Sequence, residues 1–160
     1  MADASTPRKG GALGTILVLV FAMGVLGLTY LLSGRFLSGK GVSWAMGVGI
    51  GAGIACLLVT GILEKVKAPS LAAPVLLLIG AGAAFWFLAL PVLRHPDTNY
   101  GYSGTYQVTY SDGRTETMDG AVLNEQEWSK RAGGYMALAL APACFAVGVL
   151  AGSLRKKPAA

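Results

Sequence analysis

The sequence predicts an all-α membrane protein: four transmembrane helices in a bundle, both termini cytoplasmic, with a small β-hairpin plus a short helix in the outer loop between helices 3 and 4. Three observations lead there. First, residues 10–34, 41–63, 68–93 and 132–154 contain no ionisable Asp, Glu, Lys, Arg or His. Each stretch reaches the roughly 20 apolar residues that a hydrocarbon core of about 30 Å requires of a helix. Second, the chain is 54% hydrophobic and only 13% charged, with mean hydropathy +0.58. So little polar surface cannot wrap a single soluble core of 160 residues. Third, Lys and Arg gather beside alternate ends of these stretches, where they set membrane topology, so the formal charge of +5 does not indicate a nucleic-acid partner.

Residues 1–9 form a short polar N-terminus expected to be disordered in the cytoplasm. The apolar run over 10–34 follows Arg8 and Lys9. It outlasts the roughly 7–15 residues of a signal-peptide core and lacks a small-x-small cleavage site, which predicts an uncleaved anchor, TM1. A short outer loop, 35–40, leads to TM2 over 41–63. Within TM2, Gly47, Gly51 and Ala55 recur at four-residue spacing, with Gly49 and Gly53 on a neighbouring stripe. Small residues let helix backbones approach closely in lipid, so TM2 is expected to be central, its two stripes suiting equally contact with a second chain or a tightly packed monomeric bundle. The run GVGIGAGIA over 47–55 resembles the glycine-rich first helix of the proteolipid ring subunit of rotary ATP synthases. That resemblance implies close helix packing; the membrane-embedded carboxylate of that family has no counterpart here.

A cytoplasmic turn, 64–67, joins TM3, 68–93, which carries Gly80 and Ala84 at four-residue spacing, Pro74 near its start and Pro91 near its end. Prolines at those positions are expected to disturb the helix little. The outer, periplasmic loop spans 94–133. Thr105 to Tyr110 alternate Thr or Gln with Tyr or Val, and Asp112-Gly113 signals a two-residue turn. A hairpin over 105–119 follows, placing Tyr110 opposite Thr115, Val108 opposite Thr117 and Tyr106 opposite Asp119. Asn124 and Glu127 suit the start of a short helix over about 125–131, with Trp128 resting at the membrane surface. Gly133 and Gly134 then loosen the join to TM4, 134–154, where Gly148 and Gly152 repeat the small-residue spacing and Pro142 is expected to kink the helix. Residues 155–160 form a basic cytoplasmic tail.

Orientation follows from Arg8, Lys9, Lys65, Lys67, Arg155, Lys156 and Lys157 on one side, opposed only by Asp3 and Glu64. On the other side Arg35, Lys40, Arg94, Arg114, Lys130 and Arg131 are balanced by six carboxylates. The positive side faces the cytoplasm. Every Trp and Tyr falls on the outer half, which reads either as an interfacial belt or as a docking surface including Trp86, Tyr106, Val108, Tyr110 and Trp128.

The chemical inventory is poor. No span holds a carboxylate for proton coupling. Ser and Thr in the spans can return hydrogen bonds to their own helix, and Cys56 and Cys144 read as small apolar groups. No metal site, catalytic constellation or cofactor is predicted. His95, at the outer mouth of TM3, is the one candidate axial ligand for a pigment or haem; a lone His before Pro96 is far more often a solvated loop residue. Packing positions are Gly47, Gly49, Gly51, Gly53, Gly80, Gly148 and Gly152. The sequence therefore leads to a noncatalytic structural or accessory subunit of a larger integral membrane complex. The alternatives are a small permease, channel or lipid-handling protein, or a membrane sensor component using the outer loop. The expected partners are the lipid bilayer and other membrane subunits, in a bacterial inner membrane by composition.

Overall fold

The computed structural model describes the backbone of residues 10–155 and the side chains of residues 19–150. Residues 1–9, the tail beyond Arg155 and the side chain position of Gly152 lie outside these limits. The first helix, α1 (Gly10–Ser33), stops at Gly34. There a φ of 66° and an N–H donated to the Tyr30 carbonyl at 2.7 Å close the helix, in a left-handed conformation that a Cβ would resist.

Ser38 starts α2 (Gly39–Lys65), its Oγ accepting from the Gly41 N–H at 3.4 Å, as a residue with a short polar side chain does at a helix start. The far end closes with the Ala68 N–H on the Leu63 carbonyl at 3.0 Å and the Lys67 N–H on the Glu64 carbonyl at 3.1 Å. This paired closure needs a left-handed residue, usually glycine. Here Lys67 fills it at φ 53°.

The third apolar helix is a rod of three parts: α3 (Ala72–Ala84), a π-helical turn (Phe85–Ala89) and α4 (Leu90–Arg94). Pro91 accounts for the wide turn. It offers no N–H to the Phe87 carbonyl and its ring would press on that carbonyl. The Leu90 N–H instead reaches back to the Phe85 carbonyl, a five-residue step that makes room for the ring. Pro91 thus changes the helix where little disturbance was expected.

Strands β1 (Thr105–Thr109) and β2 (Thr115–Asp119) form an antiparallel hairpin. Its register is one residue from expectation: Tyr106 opposes Met118 and Val108 opposes Glu116. The loop has three residues, not two. The Gly113 N–H closes a turn on the Tyr110 carbonyl at 2.9 Å, Gly113 takes φ 84°, and the Tyr110 N–H then meets the Arg114 carbonyl at 2.8 Å. A turn followed by a left-handed glycine makes a bulge, and the bulge shifts the register. Asp112 holds the loop by accepting from the Arg114 N–H at 3.1 Å and from its Nε at 2.7 Å.

The short helix expected over 125–131 is not separate. It is the beginning of α5 (Gly120–Arg155), a 36-residue helix that passes through Gly133, Gly134 and Pro142 without interruption. Its length of about 54 Å exceeds a hydrocarbon core of about 30 Å, so its first turns can stand clear of lipid. Three helical stretches among the described residues are long and apolar enough to cross a membrane: Gly39–Lys65, Ala72–Arg94 and Gly120–Leu150. The described part of α1, Leu19–Ser33, is a shorter apolar helix.

The centre of the bundle is α5, not the second apolar helix; α1, α2 and α3 each pack chiefly on it. Near the hairpin end the core gathers Val25, Leu37, Ala45, Leu93, Trp128 and Met136. A smaller cluster of Cys56, Leu77 and Ala146 lies toward the other end. Ile50, Ile54, Leu57, Leu58 and Ile62 of α2 are all more than half exposed, an arrangement that water disfavours and lipid does not.

Candidate functional site

Two faces of α2 carry small residues, and the structure packs the stripe of Gly49, extended toward the start of the helix by Ala45 and Gly41. Gly41, Ala45 and Gly49 run along α2 opposite Ser129, Gly133 and Ala137 of α5. A Cβ on Gly41 would stand 2.2 Å from the Ser129 Oγ and 2.6 Å from its carbonyl oxygen. One on Gly133 would stand 2.5 Å from the Gly41 carbonyl oxygen, and one on Gly49 would meet the Phe21 ring at 3.0 Å. Backbones this close exclude any side chain, and van der Waals contact over the crossing holds helices that lipid does not drive together. Ser129, fully buried, also accepts the Ser38 N–H at 2.6 Å. That bond fixes the start of α2 against α5.

Of the predicted packing glycines among the described residues, Gly49 alone lies at a close approach. Gly47, Gly51, Gly53, Gly80 and Gly148 have nothing within 4 Å of where a Cβ would be. Gly41 and Gly133 were missed because they flank the apolar stretches, where glycine reads as a loop residue.

Trp128 corrects the expectation of a surface anchor. It is fully buried, and its Nε1 donates to the Val92 carbonyl at 3.0 Å. The partner follows from sequence: a continuing helix would satisfy Val92 with the N–H of residue 96, and residue 96 is proline. The indole takes the vacant place. Trp86 and the next residue Phe87 do face outward, 61% and 73% exposed on the π-helical turn.

Asn124 does not cap a helix; it ties the loop down. Its Oδ1 accepts from the N–H groups of Tyr100 at 3.1 Å and Tyr102 at 3.3 Å, and its Nδ2 donates to the Tyr102 carbonyl at 2.9 Å. Arg131 lies 4.8 Å from the centre of the Tyr100 ring. Burial pushes the Tyr100 hydroxyl above its ordinary range, with the nearby Arg131 charge opposing. On the hairpin, Tyr106, Val108 and Tyr110 share a half-buried face. Their own chain supplies part of the cover: Tyr102 meets Tyr106 edge-on at 5.6 Å, and Lys40 lies 5.9 Å from the Tyr110 ring. The Tyr110 hydroxyl donates to Glu116 at 3.0 Å, which raises its pKa. The two bonds from Arg114 hold the Asp112 carboxyl below the usual range. An Arg35–Asp97 ion pair at 3.1 Å and a Lys40–Gln126 bond at 2.8 Å complete this end of the molecule.

Span hydroxyls behave as expected: Thr29, Ser33, Ser43 and Thr60 each donate to the carbonyl four residues earlier. Cys56 and Cys144 are free thiols. His95 is exposed where α4 ends, its carbonyl accepting from Thr98. Among the described residues no three His, Cys, Asp or Glu side chains gather as a metal group. A cleft of about 400 Å³ lies between α1, α2 and α5, with Val25, Val42, Ile50 and Phe145 among its walls; His95 is not among them. No protein-family description, curated protein or solved structure matches this chain.

Proposed function

We propose that this protein is a noncatalytic structural or accessory subunit of a larger integral membrane complex, crossing a bacterial inner membrane four times with both termini in the cytoplasm. One observation carries the reading. While α2 presents Gly41, Ala45 and Gly49 to α5, its Gly47, Gly51 and Ala55 remain exposed on another face, flanked by the outward Ile50, Ile54 and Leu58. Grooves of small residues between aliphatic ridges suit a second helix in lipid.

Further support comes from the outward Trp86 and Phe87 and from the hairpin, whose two strands pair only with each other among the described residues. Tyr106, Val108 and Tyr110 sit on that hairpin, where a neighbour could add a strand. The reading of four crossings is supported by α1, which at 24 residues is about 36 Å long, and that of the orientation by the basic residues. A permease or channel would need a polar path, whereas the cleft walls are apolar.

Mild-detergent purification of the full chain from its source tests this. Recovery with other membrane chains is the expected outcome. Gly51→Leu should release them while leaving the chain inserted and folded. Purification as a lone, pigment-free monomer would refute the subunit role.

A further inference from the structure

We propose that the cleft between α1, α2 and α5 is a binding site for one acyl chain of a phospholipid, taken from the leaflet on the hairpin side. Its chemistry selects hydrocarbon: none of the lining side chains carries a nitrogen or oxygen, so neither water nor a polar ligand would find a hydrogen-bond partner. Its length selects one leaflet. From Val42 at the hairpin end to Gly53 at depth, the wall on α2 rises about 16 Å, half of a hydrocarbon core of about 30 Å. Leu26 and Phe21 descend α1 alongside it, and Phe145 of α5 lies at the deep end.

Its volume admits such a chain. About 400 Å³ along that length is many times the ~10–15 Å³ that admits one water, enough for an extended hydrocarbon chain. Met46 and Ile50 line the cleft and are 54% and 65% exposed, so the open side lies along the outward surface of α2. A chain can slip in sideways from the bilayer without crossing water. The site rests on the membrane reading and is independent of the subunit role.

The test uses the full chain in vesicles of phosphatidylethanolamine and phosphatidylglycerol, doped with phosphatidylethanolamine bearing a diazirine near the end of one acyl chain. After irradiation, peptide mass spectrometry should find labelling at Gly53, Cys144 and Phe145 at least fivefold above that at Ile79, an outward residue of α3. Gly53→Phe, or independently Ala22→Phe from the α1 side, should lower labelling at Phe145 about fivefold and leave Ile79 unchanged. Equal labelling of cleft and Ile79 in the unaltered chain would overturn the proposal, as would labelling at Phe145 that survives both filled variants. Cross-links between protein chains at Phe145, in place of lipid adducts, would also overturn it. Absence of label everywhere, Ile79 included, would overturn the membrane reading with it.

Discussion

Individual residues divide sharply by whether a neighbour occupies their Cβ position. Gly41→Ala would drive a methyl against the Ser129 side chain and backbone, and overpacking of this kind costs typically 1–3 kcal/mol. Gly47→Ala meets open space, so its effect should stay within about 0.5 kcal/mol. Denaturant titration of the detergent-solubilised chain distinguishes them; equal effects would mean that α2 and α5 do not cross at Gly41. Trp128→Phe keeps most of the ring and removes the donor to Val92. Leaving that half-buried carbonyl unpaired should cost about 1 kcal/mol, read in the same titration. A neutral Trp128→Phe would show that the bond contributes nothing. The Trp128 partnership was written in the sequence as Pro96, but recognising it required knowing that α5 and α4 meet at that level.

At the scale of elements, chain ends and turns carry the departures from expectation. Lys67 sits in the left-handed region, where a side chain costs about 1–2 kcal/mol and glycine almost nothing. Lys67→Gly should therefore stabilise the turn between α2 and α3 by about 1 kcal/mol, measured as a shift in the thermal midpoint. Destabilisation would mean that Lys67 makes contacts outweighing the strain. The hairpin and its turn residues were legible from Asp112-Gly113 and the alternating pattern. Its register was not, because the same Gly can close a two-residue turn or supply a bulge after a three-residue one. Likewise the polar 125–131 segment reads as a helix of its own until Gly133 and Gly134 prove to be a packing surface. Glycine marks a break when exposed to water and a contact when pressed against Gly41 and Trp44.

For the whole molecule, the arrangement is a long α5 around which the other apolar helices gather, with the loop held over one end by Asn124 and Arg35 and the hairpin touched there by Lys40 at the Tyr110 ring. Placing that end outside makes a prediction for topology. Reporters fused after Ala160 and inserted at Asp112 should be active on opposite sides of the membrane, with the hairpin outside. Activity of both on one side, or a reversed pattern, would overturn the orientation.

What the sequence determined by itself was the medium and the local geometry: uncharged stretches long enough to cross a bilayer as helices, and a hairpin between the last two. These depend on near neighbours along the chain and on the absence of charge, both readable residue by residue. Only the tertiary structure decided which small residues touch, why Trp128 is core, and where an apolar cleft remains. Every face of these helices is apolar, so hydrophobicity does not distinguish inside from outside in lipid; shape complementarity between distant segments does.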